Sequence, residues 1–297
     1  MAHSEAIVKM TRYRQVIQIY CLMLGEWLTQ PRVYISFVLG FVFMLVPSMN
    51  LYRYANWTGA PIQLAEAFIV TLSNQHNLAF MMLGLFLLLA DAPFLSGRIT
   101  NVLVRVPRKT WLLAQLFYVF AASLTYMLVV CMFSLLLSIG CSYVDNIWSA
   151  PVYSLATNPP SIAITTYSVS FKCFDLIEQF SPWQALALNI VTVALYGTVI
   201  GLLLFIFALS RYRLAGWVIA MGMHLVGFLV LKDAPYHANA QLSLLVRAMP
   251  AYLCRGAPFP NLLNAFIVLI SLILIFSAIA LWRVPKADLC GMLGEER

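Results

Sequence analysis

Charge is what this sequence has least of. Only 10% of its 297 residues are Asp, Glu, Lys or Arg, where a soluble globular domain carries about a quarter. With 62% hydrophobic residues, too few charges remain to solvate an outside while one core hides the rest. A water-soluble domain is therefore excluded, and lipid must cover part of the surface. Other absences narrow the chemistry. There is no HExxH and no Glu pair inside an apolar run, the motifs of a membrane metalloprotease. The six cysteines show no CxxC spacing of a metal or redox site. No GxxxxGK[ST] is present to cradle a nucleotide. Low-complexity tracts, repeats and flexible linkers are also missing, which points to a single membrane domain. Lys9, Arg12 and Arg14 precede an apolar stretch, but Glu26, Gln30 and Pro31 follow it where a small-residue cleavage site would stand, so a cleavable signal peptide is not expected.

What is present is apolar length. A bilayer core of about 30 Å needs about 20 apolar residues in a helix. Six stretches meet that measure: 33–49, 78–95, 111–139, 185–209, 214–231 and 262–282. The third is long enough to need tilt or to project beyond the lipid. The expected fold is an all-α polytopic membrane protein. An N-terminal amphipathic interfacial segment (1–32) precedes a six-helix transmembrane domain (33–282), and a cytoplasmic tail (283–297) follows.

The basic residues orient the spans. With the N-terminus inside and six spans alternating, thirteen Lys and Arg fall on the inner side. Five fall outside: Arg53, Lys172, Lys232, Arg247 and Arg255. Glu66, Asp145, Asp175, Glu178 and Asp233 offset those five. The net charge of +7 is thus a cytoplasmic excess, and no nucleic-acid partner is needed to explain it. Both termini are expected in the cytoplasm of a multi-pass cell-membrane protein.

Between the charges of the N-terminal segment, Val16, Ile19, Tyr20, Met23 and Trp27 fall at i, i+3, i+4, i+7 and i+11. That is one helical face, and a basic amphipathic helix lying in the interface fits it. Pro31 marks the bend into the first span. Two outer connections, 140–184 and 232–261, are long. The second contains the apolar piece 242–253, too short to span and a candidate re-entrant or interfacial helix. Residues 60–72 suggest a similar short helix. Cys141, Cys173 and Cys254 fall outside, where a disulfide can form, and no pairing follows from the sequence. Asn56-Trp57-Thr58 is a glycosylation triplet that matters only in a glycosylating host.

The loop after the second span carries the functional argument. Ile99, Val102, Leu103 and Val106 share one helical face, Arg98, Asn101 and Arg105 the other, and Pro107 ends the pattern. With Arg108 and Lys109 the loop holds more basic groups than orientation requires. The run 87–126, LLLADAPFLSGRITNVLVRVPRKTWLLAQLFYVFAASLTY, resembles one bacterial branch of the type-two class of ABC exporter permeases. The order of an interfacial helix, six spans and a short basic helix after span two is similar to that class across nearly the whole chain. In that family the loop is a coupling helix seated in a groove of the ATP-binding subunit. The resemblance implies such a role for Gly97, Arg98, Thr100, Asn101, Val104, Arg105 and Arg108. It also implies a separate ATPase holding ATP and Mg, a second permease unit (the same chain or a related one), and no cofactor bound by this chain. The long connection 140–184 departs from the many members that keep it short.

Within the spans, Asp91 is the one well-embedded carboxylate, expected to brace the coupling loop, with a proton relay as the alternative. His224 is mid-span, either bonded to a neighbouring helix or touching substrate. A pathway between two units, lined by the first, second and fifth spans, would present Ser36, Met82, Met221 and His224, which suits an amphipathic drug, peptide or lipid. The expected function is a non-enzymatic permease half driven by a partner's ATP hydrolysis. The alternatives are a secondary transporter, which needs coupling residues at the midplane, and a membrane-embedded enzyme.

Overall fold

The computed structural model describes residues 2–27, 29–90, 106–210, 212–233, 238–256 and 259–283, with backbone alone at 2–13, 213, 232–233 and 238–239. The fold is all-α apart from one two-stranded ribbon. Among the described residues five helices are long and apolar enough to cross a membrane, and a sixth crossing is counted when two helices joined at a 93° bend are taken together.

α1 (Ala2–Trp27) comes before the spans and lies along the third one. Its buried residues Ile19, Met23 and Trp27, with Val16 and Tyr20 partly buried beside them, are the face read from the sequence spacing. Tyr20 meets Phe117 edge-on at 4.9 Å, and the Trp27 indole N–H donates to the Tyr118 hydroxyl at 2.8 Å.

The first span, α2 (Pro31–Thr58), has proline in its first turn, where the missing N–H costs nothing. It runs nine residues past the expected stop at residue 49. The polar run 50–53 does not end it because Leu51, Tyr52, Tyr54 and Ala55 are buried and the Tyr52 hydroxyl bonds that of Ser138 at 2.5 Å. Gly59 terminates the helix at φ 70, a left-handed conformation that glycine adopts without steric penalty.

The chain then forms β1 (Ile62–Gln63), α3 (Glu66–Leu72) and the second span α4 (Gln75–Leu89). At the bend between the two helices the Asn74 side chain accepts from the His76 N–H at 2.9 Å, capping α4. α3 thus stands nearly perpendicular to α4. The remainder of the expected second span, with Asp91, lies outside the described residues. So does the basic loop with Gly97, Arg98, Thr100, Asn101, Val104 and Arg105.

The third span, α5 (Arg108–Ser138), is the longest, about 45 Å at 1.5 Å per residue. It begins behind Pro107, and Arg108 is exposed at its start. The connection 139–181 holds β2 (Ser142–Tyr143) and three short helices, α6 (Ala150–Thr157), α7 (Ser161–Thr165) and α8 (Phe174–Gln179). β2 pairs in parallel with β1, Ile62 opposite Ser142 and Gln63 opposite Tyr143.

The last three spans are α9 (Pro182–Ala208), α10 (Arg213–Asp233) and α12 (Leu262–Arg283). The apolar piece 242–253 is not one helix. Residues 246–248 form a 3-10 turn and α11 (Pro250–Leu253) follows. Pro250 forbids a continuous helix, since it has no N–H to donate and clashes with the preceding turn. The segment is nevertheless buried at Leu245, Val246, Ala248 and Met249, and the Thr192 hydroxyl on α9 donates to the Ala248 carbonyl at 3.1 Å.

α9 is the central mast: 78% of its apolar window is buried, against 17% for α12 at the periphery. It packs on α4, α5, α10 and α12. One end of the bundle is capped by the segments 59–74, 139–181 and 238–256. At the other, Arg283 donates to the Ser210 hydroxyl, and the end is basic, with Arg32, Arg108 and Lys109 there as well. The Gly84 crossing is close enough that a Cβ would lie 2.6 Å from the Ser36 carbonyl oxygen.

Candidate functional site

α4 and α10 run antiparallel and part on their outer side to leave a cleft of about 430 Å³. Ala79, Phe80 and Leu83 form one wall, and Met221, Leu225 and Phe228 the other. The helices leave this space because Ala79 and Gly222, which faces it from α10, present almost no side chain there.

One polar residue reaches the cleft. His224 bridges three helices: Nε2 lies 3.1 Å from the Ala79 carbonyl oxygen on α4, and Nδ1 lies 2.9 Å from the Tyr196 hydroxyl on α9. A carbonyl only accepts, so Nε2 carries a proton. In the neutral ring Nδ1 then accepts from the Tyr196 O–H. Phe86 packs edge-on against the ring at 5.3 Å. Both nitrogens are therefore engaged, and what His224 offers the cleft is ring carbon. The site is built to hold apolar matter, with one polar node that fastens its walls together. Among the described residues no group of three or more His, Cys, Asp or Glu could hold a metal ion.

Of the residues expected to line a pathway, Met221 and His224 do share this cleft. Met82 and Ser36 do not. Met82 is fully buried on the inward face of α4, half a turn from Phe80. Ser36 is fully buried at the Gly84 crossing, where its hydroxyl donates to the Arg32 carbonyl at 2.8 Å. Ala79, Phe80, Leu83, Gly222 and Phe228 escaped the sequence reading. Gly222, a small residue in an apolar span, was the one available signal.

The capped end holds a second arrangement. Glu66, counted from the sequence among the outer-side charges, is fully buried. Its carboxyl accepts the Ser149 N–H at 2.6 Å, the Ser149 O–H at 2.5 Å and the Gln63 N–H at 2.9 Å. It thereby clasps α3 to the connection after α5. Nearby, Cys141, Cys173 and Cys254 are all free thiols, the first exposed and the other two buried.

Comparison with protein-family models, with curated proteins and with solved structures finds no match.

Proposed function

We propose that this chain is the membrane-spanning half of an ATP-driven exporter for amphipathic molecules, working by alternating access beside a second permease unit. The observation that carries the transport reading is the cleft between α4 and α10. It is an apolar hollow of about 430 Å³ in a helical membrane bundle, and the His224 bridge to Ala79 and Tyr196 fastens its walls. Such a hollow accepts the hydrophobic part of a cargo without demanding a charge partner. The ATP-driven part rests on the likeness of residues 87–126 to the exporter permeases and on the basic loop within them. With the basic end facing the cytoplasm, as the positive-inside bias favours, that loop meets a cytosolic ATPase. His224 gives secondary transport little support, because both its nitrogens are already bonded.

Purification from native membranes tests this directly: a nucleotide-binding subunit should accompany the chain, and its ATPase activity should depend on it. Asn101→Glu and Val104→Glu should abolish that stimulation with the membrane protein still folded, because docking into a groove concentrates on a few central residues. A clean monomer with no ATPase partner refutes the proposal.

A further inference from the structure

Two cavities open along the seam between α4 and α10, one above the other. The deeper is the apolar cleft. Above it, at the capped end, is a polar pocket of about 390 Å³ where Asn74 and His76 at the start of α4 stand beside Lys172 and Arg255 of the connections. His76 lines the upper pocket and packs edge-on against Phe228, 5.1 Å between ring centres. Phe228 lines the lower one. That contact makes the two cavities neighbours. From His76 to Leu83 on α4 and from Leu231 to Met221 on α10, the walls run for about 10–15 Å at the helical rise.

The two cavities differ in chemistry. Arg255 is fixed in the upper one: its Nη2 donates to the Lys172 carbonyl oxygen and meets Cys173 Sγ at 3.8 Å, and its guanidinium stands 4.8 Å over the Tyr252 ring. A guanidinium has five N–H donors, so most remain available. Lys172 is exposed, and the first turn of α4 adds the positive end of a helix dipole. Among the described residues no carboxylate lines this pocket. Asp175 is felt by the Cys173 thiol but is not part of the wall.

We propose that this seam binds an anionic membrane lipid, its headgroup phosphate against Arg255 and Lys172 and one acyl chain in the cleft beside His224. A free anion would leave the cleft unfilled, and a neutral hydrocarbon would leave the cations unmatched. A lipid of the adjoining leaflet presents charge and chain in the order the seam does. This assigns an occupant to the cleft of the proposed exporter. It rests on that reading only in placing these helices across a bilayer.

The test uses the purified full-length chain in mild detergent, without ATPase or nucleotide, so that it stands or falls separately from export. Native mass spectrometry compares phosphatidylglycerol with phosphatidylcholine of the same acyl chains, and inorganic phosphate serves as the free anion. Phosphatidylglycerol should bind about tenfold more tightly than phosphatidylcholine. Lys172→Gln and Arg255→Gln should each weaken it about fivefold without affecting phosphatidylcholine. Lys172, being exposed, carries the headgroup test if the Arg255 variant folds poorly. Gly222→Leu should weaken both lipids with folding intact, since a Cβ at Gly222 meets nothing within 4 Å and the side chain enters the cleft. Equal affinity for the two lipids, indifference to Gly222→Leu, or phosphate binding as tightly as phosphatidylglycerol would each overturn the proposal.

Discussion

Replacing Glu66 with alanine opens the clasp that holds α3 to the connection after α5. Its carboxyl accepts three buried hydrogen bonds, from the Ser149 N–H, the Ser149 O–H and the Gln63 N–H. Without it the two backbone donors are stranded away from water, at about 1–3 kcal/mol each, while the Ser149 hydroxyl can turn to another acceptor. The expected loss is therefore about 2–6 kcal/mol. Glu66→Gln costs less. Its amide oxygen still accepts the Ser149 N–H, its NH₂ can donate to the Ser149 hydroxyl, and the Gln63 N–H goes unpaired at about 1–3 kcal/mol. Differential scanning fluorimetry of the detergent-solubilised protein should rank the natural chain first, Glu66→Gln second and Glu66→Ala last. An alanine variant that melts with the natural chain, or a glutamine variant that melts below the alanine one, refutes the buried-clasp reasoning.

Three further outcomes follow from the packing. Gly84→Ala should destabilise the bundle by about 1–3 kcal/mol, because its Cβ meets the Ser36 carbonyl oxygen; Gly25→Ala, where a Cβ meets nothing within 4 Å, should be neutral or slightly stabilising in the same thermal assay. Tyr118→Phe should leave the buried Trp27 N–H without its acceptor at about 1–3 kcal/mol, read as faster proteolysis of the N-terminal helix in purified protein. In single-cysteine variants, an impermeant maleimide applied to intact cells should label exposed Cys141 but label exposed Cys21 only after permeabilisation; the reverse pattern inverts the proposed orientation.

Apolar length and helical period made the crossing helices legible in the sequence, because those signals are local. The α1 face was legible for the same reason: Ile19, Met23 and Trp27 repeat at helical spacing and are buried together. Ends were less legible where tertiary contacts decide them, as at Tyr52, whose bond to Ser138 carries α2 through a polar run. The burial of Glu66 was not legible because Ser149, which supplies two of its three donors, lies 83 residues away. The cleft was half legible. Met221 and His224 sit on one helix and could be picked together, but whether Met82 or Phe80 faces them depends on how α4 is rotated, which no local pattern fixes in a helix apolar on every side.

The position of α9 at the centre sets an order of assembly. The mast begins only at Pro182, so at translation rates of about 5–20 residues per second the first span waits about 6–25 s and the third about 2–9 s before it begins to emerge. During that interval the surfaces of Leu85, Leu89 and Val119 that later receive Gly197 and Gly201 have only lipid or one another to touch. Insertion and packing are thus separate stages. A ribosome that stalls before residue 182 leaves a loose set of helices lacking the element around which they close, a form that membrane quality control can distinguish from the finished bundle.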